Sequence, residues 1–137
     1  MSNFILPDLQ SALLCEDVRQ EASGAHTLVG VVNALPAPVV PIGIFRLCLW
    51  TRWCSGSGEF LQDSFIIAPD DADTRIAHAQ VRFRLPEMES HATNVHVFAG
   101  FQLPIHGIYH VEIHLDGQFR MRFPFPVVPV PGAQELS

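Results

Sequence analysis

The chain has 137 residues, of which 48% are hydrophobic and 16% are charged, and its formal net charge is −6 at pH 7. This length predicts a single domain with a core of its own, and the apolar composition excludes an intrinsically disordered chain. Every basic side chain counted in that charge is arginine. An acidic chain without lysine argues against binding to the phosphates of nucleic acids.

The cysteines and the opening residues indicate a compartment. Cys15, Cys48 and Cys54 are odd in number and form no C-x-x-C pair. The first ten residues lack the basic stretch and apolar run of an export signal, so we expect a reducing, cytoplasmic location. The most apolar segment, residues 34–45, contains three prolines and predicts no membrane span.

Short apolar segments alternate with turn residues along the whole chain. Apolar side chains at every second position predict β-strands, and eight are predicted at residues 9–15, 26–34, 44–53, 59–68, 75–85, 93–103, 108–115 and 118–125. The polar residues 16–21 predict a connection, and the proline-rich residues 35–43 predict a crossover between two sheets. Strands at this spacing predict an all-β fold, an antiparallel β-sandwich of the immunoglobulin-like or C2-like kind, with a closed β-barrel as the alternative.

The clearest alternation lies in the seventh strand. Val95 and Val97 alternate there with Asn94 and His96. This pattern predicts that the valines face the core and that His96 faces solvent.

An Asp-Gly pair at residues 116–117 separates the last two strands. A two-residue loop would pair apolar side chains with polar ones, so we predict a three-residue loop that ends in a left-handed glycine. This register places Glu112 opposite Arg120 and His110 opposite Arg122 on the outer face.

A corner precedes the eighth strand. Pro104 and Gly107 flank it, and Tyr109 follows as the strand begins. This order is typical of a sandwich corner in which a tyrosine fixes the entry of the strand.

Proline recurs through the end of the chain. Because proline fixes φ and keeps the residue before it extended, residues 124–137 predict an extended, proline-rich C-terminal segment. We assign that segment to the single domain formed by residues 1–137.

The eighth strand carries three candidate metal ligands. His110, Glu112 and His114 recur at every second position and therefore share one face. Two imidazoles and a carboxylate could ligate Zn²⁺ or Fe²⁺ and leave a position open for water or substrate. Arg120 and Arg122 would bring positive charge to the same face, which favours a solvated face over a cation site. We expect no cofactor and identify no catalytic residue.

Polar side chains that can make several hydrogen bonds are concentrated on the predicted strands. The candidates for a common outer face are His78, Arg82, Arg84, His96, His110, Glu112, His114, Arg120 and Arg122. Arginine forms planar contacts through two N–H groups at once, which suits a protein partner or a small polar ligand. If these strands share one sheet, the sequence predicts a non-enzymatic cytoplasmic module for binding or assembly.

The opening of the chain resembles that of a known family. It contains Cys-Glu-Asp-Val-Arg at residues 15–19, Glu21, Gly24, Thr-Leu at residues 27–28 and Gly-Val at residues 30–31. These residues resemble the opening of a bacterial family of small proteins classed as a domain of unknown function, and the corner and the last hairpin resemble that family's ending. The resemblance implies a small β-sandwich with no assigned activity or catalytic residue.

Two other classes of function remain open. A metal-dependent enzyme would use His110, Glu112 and His114 inside a barrel that surrounds the ion. A self-assembling structural protein would pair sheet edges through its N-terminal strand or its proline-rich tail. Across these hypotheses we expect a protein partner or self-association, and neither nucleic acid nor membrane.

Overall fold

The structure is a computed structural model that describes residues 4–130. Nine strands are found among these residues: β1 (Asp8–Gln20), β2 (His26–Val31), β3 (Leu35–Pro36), β4 (Ile42–Cys54), β5 (Gly58–Ile67), β6 (Arg75–Leu85), β7 (His91–Leu103), β8 (Gly107–Leu115) and β9 (Gln118–Val128). Within the described range there is no helix that is long and apolar enough to cross a membrane.

The strands form two sheets that pack face to face. One sheet has four strands in the order β2-β1-β4-β7, and the other has five in the order β3-β9-β8-β5-β6. Apolar side chains from both sheets enclose the core; the largest fully buried ones are Trp53, Tyr109 and Phe125. The predicted β-sandwich is confirmed, and each of the eight predicted strands corresponds to one strand of the structure.

The ninth strand lies inside the predicted crossover. After β2 the chain leaves the four-stranded sheet, and Leu35–Pro36 pairs in parallel with the end of β9. The backbone N–H of Ala37 then donates to the carbonyl of Val128 at 2.8 Å. His106 Nε2 lies 2.9 Å from the carbonyl oxygen of Ala37 and ties the crossover to the corner before β8.

The last strand is longer than predicted. The sequence predicts an end at residue 125, but β9 continues to Val128. Phe125 and Val127 are buried, so these inward apolar positions continue the strand past Pro124 and Pro126. Proline is tolerated where a strand edge has no ladder hydrogen bond to lose. Of the predicted extended segment, residues 131–137 lie outside the described residues.

The first strand is also longer than predicted. Residues 16–20 do not form a connection; they belong to β1 and pair with β2. The hairpin formed by β1 and β2 folds back over the outer face of the four-stranded sheet, where Trp50 Nε1 donates to His26 Nδ1 at 3.0 Å.

Cys15 and Cys48, which are opposite each other in β1 and β4, are fully buried. Burial raises the pKa of Cys15 to about 11, so this thiol is unreactive at neutral pH.

The corner before β8 is held by the tyrosine, as predicted. Tyr109 is fully buried, and its hydroxyl donates to the carbonyl of Ile105 at 2.7 Å. The same hydroxyl accepts the backbone N–H of Ile105 at 3.1 Å. The corner therefore has a fixed shape where β8 begins.

The loop predicted between β8 and β9 is wrong. Asp116 and Gly117 both have positive φ, at 49° and 80°, which is the signature of a two-residue hairpin turn. The irregularity lies further along the ladder, between Ile113 and His114. Because the bulge sits in the strand and not in the turn, the outer-face pairing differs from the predicted one. Glu112 is opposite Arg122, not Arg120.

Candidate functional site

The outer face of the five-stranded sheet carries side chains from β6, β5, β8 and β9 in rows that cross the strands. One row consists of Gln80, Asp63, His114 and Phe119, and the next consists of His78, Phe65, Glu112 and Arg122. Because each pair of neighbours in a row is directly opposite in the ladder, their side chains are in reach of one another. We call Asp63, Phe65, His78, Glu112, His114 and Arg122 the central array.

Asp63 organises one half of the central array. His78 Nε2 lies 2.7 Å from its Oδ1, and Gln80 Nε2 donates to the same oxygen at 2.8 Å. Partial burial of the carboxyl group would raise its pKa, but the hydrogen bonds from His78 and Gln80 outweigh burial and lower the pKa of Asp63. Asp63 is therefore an ionised acceptor that fixes both neighbours.

Glu112 organises the other half of the array. Its Oε1 lies 2.7 Å from His114 Nε2, and its Oε2 lies 3.4 Å from Arg122 Nη1. Arg122 also reaches His110 Nδ1 at 3.3 Å and Asp73 at 3.9 Å. Burial, with the positive charge of Arg122, lowers the pKa of His110. His110 is thus a neutral imidazole at physiological pH.

Phe65 lies at the centre of the array, and its side chain is covered. Its ring is stacked on His78, with centroids 4.6 Å apart, and meets His114 edge-on at 5.3 Å. The Arg75 guanidinium carbon lies 3.9 Å from the centroid of the same ring. These contacts leave the residue only 8% exposed and hold one cation and two imidazoles around a single aromatic ring.

These side chains surround an open depression of ≈ 570 Å³. It is lined by Asp63, Phe65, Arg75, His78, His114 and Gly117. The volume lies within the range of small-molecule sites, about 300–1,000 Å³. The lining combines one aromatic ring with convergent polar groups, which suits recognition of a small polar group.

Eight of the nine residues predicted to share a face belong to the five-stranded sheet. His78, Arg82 and Arg84 are on β6; His110, Glu112 and His114 are on β8; Arg120 and Arg122 are on β9. Arg82 and Arg84 line a separate depression of ≈ 220 Å³ together with Glu59. Arg120 is exposed beside the bulge. The structure therefore brings only part of the predicted set into the central array.

His96 is the exception, and its predicted position is wrong. It lies on β7 in the four-stranded sheet, and it is only 4% exposed, whereas Val97 is 47% exposed. Asn94 and His96 face the core, and the valines face outward, so the assignment of the two faces is reversed. Neither ring nitrogen of His96 has a hydrogen-bond partner among the described residues. Burial lowers the pKa of His96 to about 4.

A buried hydrogen-bond network explains why polar residues of β7 face inward. Gln62 is fully buried, and its Oε1 accepts from Thr51, Trp53 and Asn94 at 3.0, 2.8 and 2.8 Å. Its Nε2 donates to the Ser64 hydroxyl at 2.9 Å. Because buried polar groups are stable when they are bonded to one another, β7 can place an asparagine in the core.

The metal candidates do not converge on one point. Both carboxylate oxygens of Glu112 are already bonded, one to His114 and the other to Arg122. Arg122 Nη2 also lies 3.3 Å from Nδ1 of His110, where it brings a positive charge to a ring nitrogen that a metal ion would need. Among residues 4–130, no group of three or more His, Cys, Asp or Glu side chains is arranged to hold a metal ion.

Sequence reasoning missed Asp63, Phe65 and Arg75. On β5 the inward set contains Gln62 and Ser64, while the outward set contains Phe65. Apolar and polar residues are thus mixed on both faces, and alternation alone does not assign them. The pairing of β5 with β6 and β8, which the sequence does not show, places an acidic residue of β5 between Gln80 and His114.

The sequence matches a family of unknown function, DUF6941, over residues 10–128. This chain belongs to DUF6941. The resemblance to a family of unknown function is therefore confirmed. A search of curated proteins found no match.

Among solved structures, the chain is similar to two crystal structures of a glycosyl hydrolase family 2 member from Bacteroides cellulosilyticus. One has 12% identity and a TM-score of 0.44 over 73% of this chain, and the other has 13% and 0.45 over 72%. This chain spans only 16% and 15% of the length of those proteins. A similarity at this level carries no functional argument.

Proposed function

We propose that this DUF6941 domain is a non-enzymatic binding module that contacts its partner through the central array. The observation that carries the proposal is the depression around Phe65, where side chains from β5, β6 and β8 meet. The partner is a protein surface or a small polar ligand, because the array offers charged groups, imidazoles and one aromatic ring in a small area.

The state of the array supports this proposal. His78 and His114 are each held by a carboxylate at 2.7 Å, and both contact the ring of Phe65. Side chains that are fixed before binding lose less conformational entropy when the partner arrives. The array is therefore organised for recognition.

Affinity capture tests the proposal with two matched double variants. His78→Gln with Arg122→Gln alters the array and removes one histidine and one arginine. His26→Gln with Arg46→Gln makes the same two changes on the four-stranded sheet. We expect the first variant to weaken binding of a captured and purified partner by about tenfold or more, because interfacial charged hydrogen bonds are worth over 1.4 kcal/mol. The second variant should bind like the wild type.

Isothermal titration of the purified partner measures both affinities. The proposal is wrong if no partner discriminates between the two variants, or if the variant of the four-stranded sheet loses affinity instead.

The unpaired edges of β1 and β9 favour a second candidate function, which is self-association through strand edges. Among the described residues, 8–13 of β1 pair on one side only, with β4, and β9 before Val127 pairs only with β8. Between these edges lies a groove of ≈ 370 Å³ whose apolar lining includes Leu14, Met121 and Phe123. Two open edges above an apolar groove can accept a strand from another copy.

Light scattering at high protein concentration tests self-association. We expect a dimer or larger species in the wild type, and we expect Met121→Glu to give a monomer because it places a charge in the groove. Ile108→Glu changes an exposed apolar residue of β8 outside the groove and should leave the mass unchanged. A wild-type protein that stays monomeric would remove this candidate.

A further inference from the structure

Arg75 differs from Arg122 in how its charge is used. Arg122 faces the carboxylates of Glu112 and Asp73. Arg75 makes no ion pair among residues 4–130, although its guanidinium is held 3.9 Å from the Phe65 centroid. Contact with a ring face restrains the guanidinium plane but uses none of its N–H donors. Arg75 thus presents a restrained cation with unused donors at the edge of the depression.

The two imidazoles of the depression are oriented in the same way as each other. His78 and His114 both use Nε2 toward a carboxylate, so Nδ1 is the ring nitrogen without a bond to the described residues. Both side chains line the depression together with Arg75. With Nε2–H directed at a carboxylate, Nδ1 of a neutral ring is an acceptor, so the Arg75 guanidinium is the donor that an entering group meets beside the ring of Phe65.

The charges around the depression limit what can enter. Arg75 is the one arginine that lines it, and Asp63 lines it as well. A group with two negative charges would be held by one guanidinium while facing a carboxylate, which costs Coulomb energy. A carboxylate has a single charge, and its planar pair of oxygens matches the two N–H groups of one guanidinium.

We propose that the depression binds a carboxylate group. The carboxylate forms a bidentate pair of hydrogen bonds with the guanidinium of Arg75, which itself lies over the ring of Phe65. The proposal rests on the proposed function and names the chemistry that the central array recognises. The carboxylate belongs to a free organic acid or to an aspartate or glutamate side chain of a protein partner. His78 and His114 line the same depression.

Nuclear magnetic resonance of the ¹⁵N-labelled full chain tests the proposal with four probes. Succinate represents a free acid, and N-acetyl-tetraglutamate amide represents acidic side chains. Succinamide is the neutral analogue of succinate, whose two carboxylates carry one charge each, and inorganic phosphate carries up to two charges on a single group. We expect saturable shifts of the Arg75 side-chain signal and of the His78 and His114 rings with at least one carboxylate. Succinamide should give none, and phosphate should bind more weakly.

Arg75→Gln should weaken carboxylate binding by about tenfold or more, because it removes a charge-assisted pair of hydrogen bonds. Arg75→Lys keeps the charge and should recover only part of the affinity. Arg19→Gln, on an exposed position of the other sheet, should bind like the wild type. Preference for succinate assigns a free acid, and preference for the peptide assigns a protein partner.

The proposal is overturned if neither carboxylate gives saturable shifts, if succinamide binds as tightly as succinate, if phosphate binds most tightly, or if Arg75→Gln keeps full affinity. These outcomes leave the proposed function intact when a purified partner still depends on His78 and Arg122. The two failures are therefore distinguishable.

Discussion

Gln62→Met is expected to lower the free energy of unfolding by about 4 kcal/mol, which is exceptionally large for a single substitution. Methionine fills nearly the same volume, so packing is largely kept. The amide oxygen that accepts from Thr51, Trp53 and Asn94 is lost. The donors of Trp53 and Asn94 are left buried without an acceptor, and the Thr51 hydroxyl keeps only a 3.5 Å bond to the carbonyl of Asn94. Each unsatisfied buried donor costs roughly 1–3 kcal/mol. Urea denaturation followed by tryptophan fluorescence measures the change.

Gln80→Met is the matched control for this prediction. Gln80 occupies the neighbouring strand, and its amide donates one exposed hydrogen bond to Asp63. Its replacement should cost less than about 0.5 kcal/mol, as is usual for surface substitutions. Thr51→Val removes one of the three donors without orphaning the amide oxygen, and should cost an intermediate amount. Equal losses for Gln62→Met and Gln80→Met would show that the buried network contributes no stability.

The stability of the protein is expected to fall by about 3 kcal/mol between pH 6.5 and pH 4 because of His96. The pKa of His96 in the folded protein is about 4, against an ordinary value of 6.5, because burial disfavours the charged ring. As the pH falls through this window, the unfolded chain takes up a proton that the folded chain refuses. The stabilisation is therefore complete above pH 6.5 and lost as the pH approaches 4.

Charged neighbours modify this titration without reversing it. The negative charge of Asp63 raises the pKa of His96, and His78 lowers it, but burial is the largest effect. Asp63 contributes at lower pH, since its own pKa in the folded protein lies below the ordinary carboxyl value of 3.8. The two groups thus act in separate parts of the pH scale.

His96→Leu isolates the contribution of His96. The variant should lose most of the fall in stability between pH 6.5 and pH 4, and the part that remains includes the contribution of His110, whose pKa is also lowered. It should be more stable than the wild type by about 1 kcal/mol at pH 7, because two unbonded ring nitrogens are removed. His91→Gln changes an exposed histidine of the same strand and should keep the wild-type slope. Urea denaturation at half-unit pH steps gives all three curves. A wild-type slope in His96→Leu would contradict the prediction.

The strands were predictable from the sequence because period-two alternation is a local property. The face of β7 was not, since both of its faces carry residues that can be buried. Asn94 faces inward because Gln62, far away along the chain, accepts its amide proton. Alternation cannot reveal a hydrogen-bond partner on another strand. The inference that turned Asn94 toward solvent therefore also placed His96 on the solvent face of β7, although it faces the core.

The central array was predictable only in part for a related reason. The sequence shows that His110, Glu112 and His114 share one face of β8, and the structure agrees. It does not show which strand lies beside β8, and this order decides that Asp63 and Phe65 stand at the centre. The bulge near His114 also shifts the register with β9, so the partner of Glu112 is Arg122.

The two imidazole–carboxylate pairs have a kinetic consequence. Rings that are already oriented by Asp63 and Glu112 need no rearrangement when a partner arrives. Association should then be a single bimolecular step, and its observed rate in a stopped-flow experiment should rise linearly with partner concentration, without a plateau. Differences in affinity among partners would arise mainly from how long each complex survives.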